Sequence, residues 1–272
     1  ASSFQLSHSK YICPDYALLL NISNDHLDWH GNNLNYKNSK FKIFKNQKKN
    51  QFSLIGNKFK NEFLKRNFKG KLIIPRLNNY KKLKIKIQNP YLKLDINDEN
   101  MSYVFELIKL IGLKEKNFLI SLKSFRGLPH RYEVFLKKKN CVFINDSKAT
   151  SFQATKGALR NSNNIFWILG GLPKKQDKIN LKDFKRNIVK IYLIGKSINY
   201  FKKQIGNKVD YCLSKNLRKS LIQIMNDIKI FKKKNNTILL SPASASYDQF
   251  LNFEKRGEEF KRLCKIYARR YV

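Results

Sequence analysis

The second half of the chain alternates short apolar runs with stretches of helical spacing, and few folds accept that alternation. Residues 141–145 (CVFIN), 165–169 (IFWIL), 188–194 (IVKIYLI) and 237–240 (TILL) are strand-length and rich in β-branched and aromatic side chains. Apolar runs of this length suit strands covered on both faces. Helical spacing follows over residues 151–160 and 217–228, and again in a long final helix from about Tyr247. A weaker strand is expected near Val209. Residues 132–136 read as a further strand, joined to 141–145 by the turn Lys137-Lys138-Lys139-Asn140. Strand and helix in regular succession imply a parallel, doubly wound α/β sheet.

The first half is also mixed. Residues 17–22, 52–55 and 72–74 read as strands, and residues 33–44 have helical spacing. Residues 101–113 (MSYVFELIKLIGL) form an amphipathic helix, with Asn100 as its expected N-cap. Residues 114–125 continue as another helix. The pattern breaks at Arg126-Gly127-Leu128-Pro129.

Composition narrows the function classes. The 272 residues carry a net charge of +37, which would ordinarily point to nucleic acid or an anionic membrane. The basic residues are mostly Lys, however, and are spread along the whole chain together with abundant Asn and Ile, as an AT-rich genome would produce. The interleaved aromatics and Arg of a base-stacking platform are absent. No specific nucleic-acid partner is expected, only salt-sensitive polyanion binding. No run approaches the ~18 apolar residues of a membrane helix, so membrane insertion is not expected. Cys13, Cys141, Cys212 and Cys264 show no metal-ligand spacing and read as reduced, mostly buried thiols of a cytoplasmic protein. The opening ASSFQLSHSK has no initiator Met and no signal-peptide pattern, so Ala1 is not expected to be the natural start.

In a doubly wound sheet, chemistry belongs in the loops at the carboxyl ends of the strands. Three such loops stand out. Asp146-Ser147-Lys148-Ala149-Thr150 follows 141–145 and puts an acid, a base and two hydroxyls before a helix. Gly170-Gly171-Leu172-Pro173-Lys174-Lys175-Gln176-Asp177 follows 165–169. Its two glycines would let a ligand approach the backbone, and Lys174 would supply a charge. Ser241-Pro242-Ala243-Ser244-Ala245-Ser246-Tyr247-Asp248-Gln249-Phe250 follows 237–240, and its small hydroxyl residues, opening a helix, suit a carboxylate or phosphate. Each loop has a plain alternative: a helix N-cap, a solvated lysine loop, a serine-rich cap. The three together, on strand ends of one sheet, are more specific.

These loops carry a resemblance. Gly127-Leu128-Pro129-His130-Arg131-Tyr132-Glu133, then NDSKAT, GG-x-x-K and LSPASAS-x-DQF-x-NFE-x-RG, resemble the C-terminal domain of the Mur ligases. Ser2-Ser3-Phe4-Gln5-Leu6 and Leu20-Asn21-Ile22-Ser23-Asn24-Asp25-His26-Leu27-Asp28 resemble their central ATPase domain. The resemblance runs to about Tyr267. It implies the rest of a central ATP-binding domain over residues 1–126, and a Rossmann-like, mostly parallel domain binding D-glutamate over 127–272. The SKAT and SPASAS-x-DQF loops point to the branch of the family that adds D-glutamate.

The resemblance implies an amide ligase of peptidoglycan synthesis and cell-wall biogenesis, cytoplasmic and monomeric when complete. ATP would phosphorylate a carboxylate of UDP-N-acetylmuramoyl-L-alanine, and the amine of D-glutamate would attack the acyl phosphate. His26 matches a magnesium ligand of the family. Lys40 matches the lysine that the family carbamylates, which replaces a cation beside Mg²⁺ by an anion with two oxygens. Asn100, His130, Arg131 and Asp146 match nucleotide contacts, and Lys148 a catalytic substrate contact. Thr150, Lys174, Ser246, Tyr247 and Phe253 match the amino-acid pocket. Ser2 and Gln5 match the region touching the muramoyl substrate or metal. His30 matches nothing and reads as a surface histidine.

The sequence departs from the family in three places. GxxxxGK[ST] is absent; the family places it upstream, in a missing N-terminal half of the same enzyme, so the chain by itself is expected to be inactive. Asn97-Asp98-Glu99-Asn100 replaces the usual G-x-H-N, and Tyr103 stands where a second Asn is common. Another amide ligase, of Mur or folylpolyglutamate type, is one competing reading. A basic polyanion-binding protein reusing the fold is another.

Overall fold

The computed structural model describes residues 1–272 except Asn24, Lys175, Gln176, Lys232 and Val272. Asn24, Lys175 and Gln176, which belong to motifs quoted above, lie outside the described residues. The chain divides into two compact units, Ala1–Phe125 and Arg126–Val272.

The first unit opens with helix α1 (Ser3–His8), strand β1 (Tyr16–Leu19) and the short helix α2 (Leu27–His30). Helix α3 (Asn33–Phe41), strand β2 (Phe52–Ile55), helix α4 (Lys60–Lys65) and strand β3 (Lys71–Ile73) follow. Three helices close the unit: α5 (Leu77–Lys84), α6 (Asp98–Leu110) and α7 (Glu115–Leu122). The strands form a parallel sheet in the order β1-β2-β3. Ala17, Leu19 and Ile55 of the sheet pack on Phe41, Phe44, Phe59 and Phe63. A second cluster of Tyr80, Leu83, Ile87, Met101, Ile108 and Phe118 joins α5, α6 and α7.

Helix α6 starts earlier than expected. Its N-cap is Asn97, without a side-chain cap bond, and Asn100 lies inside the first turn. Asp98 and Glu99 in that turn suit the positive end of the helix dipole, and Asp98 pairs with Lys84 at 2.6 Å. The charges, and not Asn100, mark where this helix begins.

The second unit holds strands β4 (Glu133–Lys138) and β5 (Cys141–Asn145), helix α8 (Phe152–Arg160), and strands β6 (Ile165–Gly170) and β7 (Ile188–Ile194). Helix α9 (Ile198–Ile205), strand β8 (Tyr211–Lys215), helix α10 (Leu217–Phe231), strand β9 (Asn236–Leu240) and helix α11 (Phe253–Tyr271) complete it. The six-stranded sheet runs β4-β5-β9-β6-β7-β8 and is parallel except for the β4–β5 hairpin. It is an α/β fold with a mostly parallel sheet.

Alternate residues Phe166 and Ile168, Tyr192 and Ile194, and Ile238 and Leu240 join one core with Leu221, Ile224 and Met225 of α10 and with Phe260, Leu263 and Cys264 of α11. The residues between them, Trp167, Leu169, Ile191, Leu193 and Leu239, are equally buried. Both faces of the sheet are therefore covered, which explains the unbroken apolar runs.

Three expectations need correction here. The last helix begins at Phe253, not near Tyr247, so the serines of the preceding loop do not open it. The weak strand lies at Tyr211–Lys215, past Val209. All four cysteines are free, but only Cys141 and Cys264 are buried; Cys13 is exposed.

Candidate functional site

In the second unit β5, β9 and β6 are adjacent. The loops leaving their carboxyl ends are therefore neighbours, and polar side chains knit them together.

Asp146 follows β5 and is buried. Its carboxylate accepts the Ser241 hydroxyl at 2.7 Å and the Tyr132 amide at 3.1 Å. Its own N–H donates to the Leu240 carbonyl at 2.8 Å. Burial pushes the carboxyl up to about 7, against the two hydrogen bonds and the Arg131 charge. A carboxyl poised there can hold or release a proton at neutral pH.

His130 is buried and has a left-handed backbone, φ 62°. Its carbonyl accepts the Lys148 amide at 3.0 Å. Its Nδ1 lies 3.0 Å from Asn145 Nδ2, an amide donor, so Nδ1 acts as the acceptor. Asn145 Nδ2 also donates to Glu133, and Lys261 pairs with that carboxylate. Burial alone would raise the Glu133 carboxyl, but the bonds from Lys261, the His130 amide and Asn145 outweigh it and hold it below the usual range.

Phe253, the first residue of α11, meets this group. The Lys148 Nζ sits 3.7 Å from its ring centroid, the His130 ring meets it edge-on, and Ser147 Oγ donates to its carbonyl at 2.8 Å. Thr150 is half-buried just before Ser151, the N-cap of α8.

The β6 loop contradicts one expectation. Gly170 and Gly171 have φ of 139° and 132°, but they make no room for a ligand. A Cβ on Gly170 would come 2.0 Å from the Ile194 carbonyl oxygen, and one on Gly171 2.2 Å from that of Ala245. Close packing of neighbouring backbone, not ligand access, requires these glycines. Leu172 and Ala245 exchange two backbone hydrogen bonds of 2.9 Å, which tie the β6 and β9 loops together. Lys174 is half-buried, and its charge reaches Asp177. Asp177 accepts the Phe152 amide at 2.7 Å, fastening this loop to the first turn of α8.

In the β9 loop Ser241, Ser244 and Ser246 are buried, whereas Tyr247 is 72% exposed. The structure thus gathers His130, Lys148 and Phe253 into direct contacts, holds Asp146 through Tyr132 and Ser241, and brings the Lys174 and Ser246 loops side by side. Arg131 and Tyr247 are exposed.

In the first unit the candidate residues hang from short helices. Ser2 caps α1, and its hydroxyl accepts the Gln5 amide at 3.1 Å. The Gln5 side chain accepts the Ser2 amide at 2.8 Å. Both side chains are used in this capping box. His26 has φ 52° and a side chain 46% exposed, with Asp25 Oδ2 at 3.7 Å from its Nε2. Lys40 is half-buried, its Nζ 5.6 Å from the Tyr36 ring centroid. Burial lowers its pKa, opposed by Asp25.

His30 is not a surface histidine. It is 7% exposed, and its Nε2 lies 3.0 Å from Ser3 Oγ. Its ring packs with Phe4, Trp29 and Tyr36. Burial and the charges of His26 and Lys40 lower its pKa. The neighbouring helices α1 and α3 cover it, which no local sequence pattern announces. Asn100 is exposed on α6. Beyond it, the buried Tyr103 hydroxyl donates to the Leu19 and Leu20 carbonyls and closes the end of β1.

Among the described residues no three His, Cys, Asp or Glu side chains are grouped to hold a metal ion. His26 with Asp25 offers a partial donor set. Lys40 as an ammonium would repel a cation, but its depressed pKa favours the neutral amine that carbamylation needs. As a carbamate it fits a hard cation.

Residues 1–122 match the model of the Mur ligase middle domain. The D-glutamate ligase of Wolbachia sp. subsp. Brugia malayi, named UDP-N-acetylmuramoylalanine--D-glutamate ligase, is 40% identical over 167 residues, 61% of this chain and 33% of that protein. The protein of the same name from Rickettsia conorii is 36% identical over 174 residues, 64% of this chain and 35% of its own length. The chain is similar to Mur ligases over part of its length. It spans about a third of the length of the curated relatives it matches.

Among solved structures, this chain is similar to the MurF ligase of Thermotoga maritima in complex with ADP. The TM-score is 0.62 at 13% identity, covering 95% of this chain and 63% of that one. The bifunctional folylpolyglutamate synthase/dihydrofolate synthase of Yersinia pestis gives a TM-score of 0.61, also at 13% identity, over 92% of this chain and 61% of that one. At such identities the likeness shows the fold alone. Four residues of the second unit had no role read from sequence: Glu133, Asn145, Ser147 and Arg256. All four carry hydrogen bonds that tie the end of β5 and its loop to β4, to His130 or to α11.

Proposed function

We propose that this chain works in an ATP-dependent amide ligase that joins D-glutamate to UDP-N-acetylmuramoyl-L-alanine, a cytoplasmic step of peptidoglycan synthesis. The observation that carries this reading is the meeting of the SKAT, GG-x-x-K and SPASAS loops on three adjacent strand ends. Relatives bearing that enzyme's name support it.

In this reading ATP phosphorylates the muramoyl substrate's carboxylate, and the amine of D-glutamate displaces phosphate from the acyl phosphate. Lys148 and Arg131 offset the charge that gathers on the transferred group. Asp146, poised near neutrality, holds a proton beside them. His130 orders the Lys148 backbone, and Asn100 lies on the nucleotide side. Lys174 faces a carboxylate of D-glutamate, Thr150 and Ser246 donate hydrogen bonds, and Phe253 and Tyr247 border the pocket. Ser2 and Gln5 shape the start of the muramoyl region. His26 and a carbamylated Lys40 would hold Mg²⁺, whose chemistry is to neutralise phosphate charge.

Titrating the isotope-labelled chain with D-glutamate tests the reading by NMR. The amides of Thr150, Lys174 and Ser246 should shift, and L-glutamate should leave them in place. Lys174→Ala should weaken binding by roughly 2–5 kcal/mol, as for a truncated charge pair. Equal shifts with both enantiomers, or shifts away from these loops, would overturn the assignment.

A further inference from the structure

Arg256 lies one helical turn into α11, beyond the residues assigned above, and is 1% exposed. A guanidinium sealed from water is costly unless its donors are used. Nε donates to Ser147 Oγ at 3.0 Å, and Nη2 donates to the carbonyls of Ser147 at 2.8 Å and Ser244 at 3.0 Å. Ser147 belongs to the β5 loop and Ser244 to the β9 loop. Nη1 lies 3.3 Å from where a Cβ of Gly171 would stand, so the β6 loop packs against the same group. That Nη1 is buried and has no hydrogen-bond partner. Burial lowers the pKa of the side chain to about 10, with Asp248 opposing, so it stays charged at neutral pH.

We propose that Arg256 is the positioning residue of the amino-acid site, drawing the Ser147 and Ser244 carbonyls under one guanidinium so that the three loops keep one register and a positive charge lies beneath them. This rests on the D-glutamate reading of the loops. The carbonyls of the loops that leave these strand ends carry partial negative charge, which repels a dicarboxylate. A guanidinium that binds two of those carbonyls turns them from the ligand and adds a charge of the opposite sign. Lysine has one point of charge and cannot span both loops in this way. The inward-facing spacing from Phe253 lets one helix supply both the ring that meets Lys148 and the fork that holds the loops.

The experiment compares Arg256→Lys, Arg256→Met and Ser147→Ala in the whole chain, reading amide hydrogen exchange and D-glutamate affinity. In both Arg256 variants, exchange should rise together at the amides of residues 147–149, 171–172 and 244–246, with β7 and β8 unchanged. Affinity should fall about tenfold or more, with Arg256→Lys nearer the parent than Arg256→Met. Ser147→Ala, which keeps the guanidinium and both carbonyls, should show a smaller change of the same pattern. It also keeps the test decisive should the Arg256 variants fold poorly. Exchange rising evenly over the whole unit, confined to the start of α11, or unchanged would overturn the proposal, as would D-glutamate affinity within about twofold of the parent in Arg256→Met. If the parent itself binds no D-glutamate, the pocket reading fails, and the exchange pattern alone decides whether Arg256 sets the loops.

Discussion

The two candidate regions are built differently. In the second unit the site rests on the ends of buried parallel strands, and its loops share side-chain hydrogen bonds through Asp146, Asn145, Ser147 and Arg256. In the first unit His26 and Lys40 are carried by short helices, half-exposed, with an aromatic and histidine cluster beneath them. The first is pre-formed; the second offers a cation where a metal reading needs an anion. Under the proposed function, fit for a small acid would be set by the fold, whereas fit for a metal would depend on covalent change at one lysine.

That contrast can be broken most sharply at Lys40. With ¹³C-bicarbonate, the chain should show a carbamate carbon by NMR, lost entirely in Lys40→Ala. A signal that survives the substitution would place the reactive amine elsewhere. The next largest effect is expected at Gly171. With φ of 132° and a backbone oxygen 2.2 Å from any added Cβ, Gly171→Ala should cost at least ~3 kcal/mol of stability in denaturant melts of the second unit. Trp167 is fully buried there, and the other tryptophan, Trp29, is 48% exposed in the first unit, so fluorescence distinguishes the two. A loss below ~1 kcal/mol would mean that these loops are not rigidly packed.

Asp146 gives a pH signature of similar or smaller size. The folded protein keeps its proton up to about pH 7, while the unfolded chain loses it near the ordinary value of 3.8. Between those values the native state binds the extra proton, so stability falls as pH rises and levels off above 7. The swing is at most on the order of 4 kcal/mol, softened by any water that reaches the site. Asp146→Asn keeps an acceptor for the Tyr132 amide, turns the Ser241 hydroxyl from donor to acceptor of the new amide, and should flatten that slope. An unchanged slope in the variant would assign the titration to another group.

Much of this was legible in sequence, for identifiable reasons. Strands β5, β6, β7 and β9 were readable because both sheet faces bury them. Helix α5 was not, since its sequence LNNYKKLK buries only Tyr80 and Leu83 amid polar residues. The start of α11 was misplaced because residues 247–250 form a separate turn, with the Gln249 and Phe250 amides donating to the Ser246 carbonyl, before the helix begins at Phe253. Asp146 and Lys148, in NDSKAT, and Phe253, in NFE-x-RG, were singled out because each motif is compact in sequence. Arg256 and His30 were passed over because only tertiary packing buries them, and a lone charge or imidazole reads as surface.

The smallest expected effect sharpens the comparison from the other side. Gly31 ends α2 beside the His26 and His30 cluster with φ 76°, as Gly171 serves the second unit. A Cβ there would meet nothing within 4 Å. Gly31→Ala therefore meets only the backbone cost of φ 76°, ψ −43°, ~1–3 kcal/mol, partly offset by the reduced freedom of the unfolded chain. Urea melts followed by Trp29 should shift by that small amount, with Trp167 unmoved. Such a result would show that the first unit's site tolerates local rearrangement while the second does not. If Gly31→Ala instead cost as much as Gly171→Ala, the half-exposed cluster would be as tightly built as the strand-end loops, and the contrast drawn between them would fail.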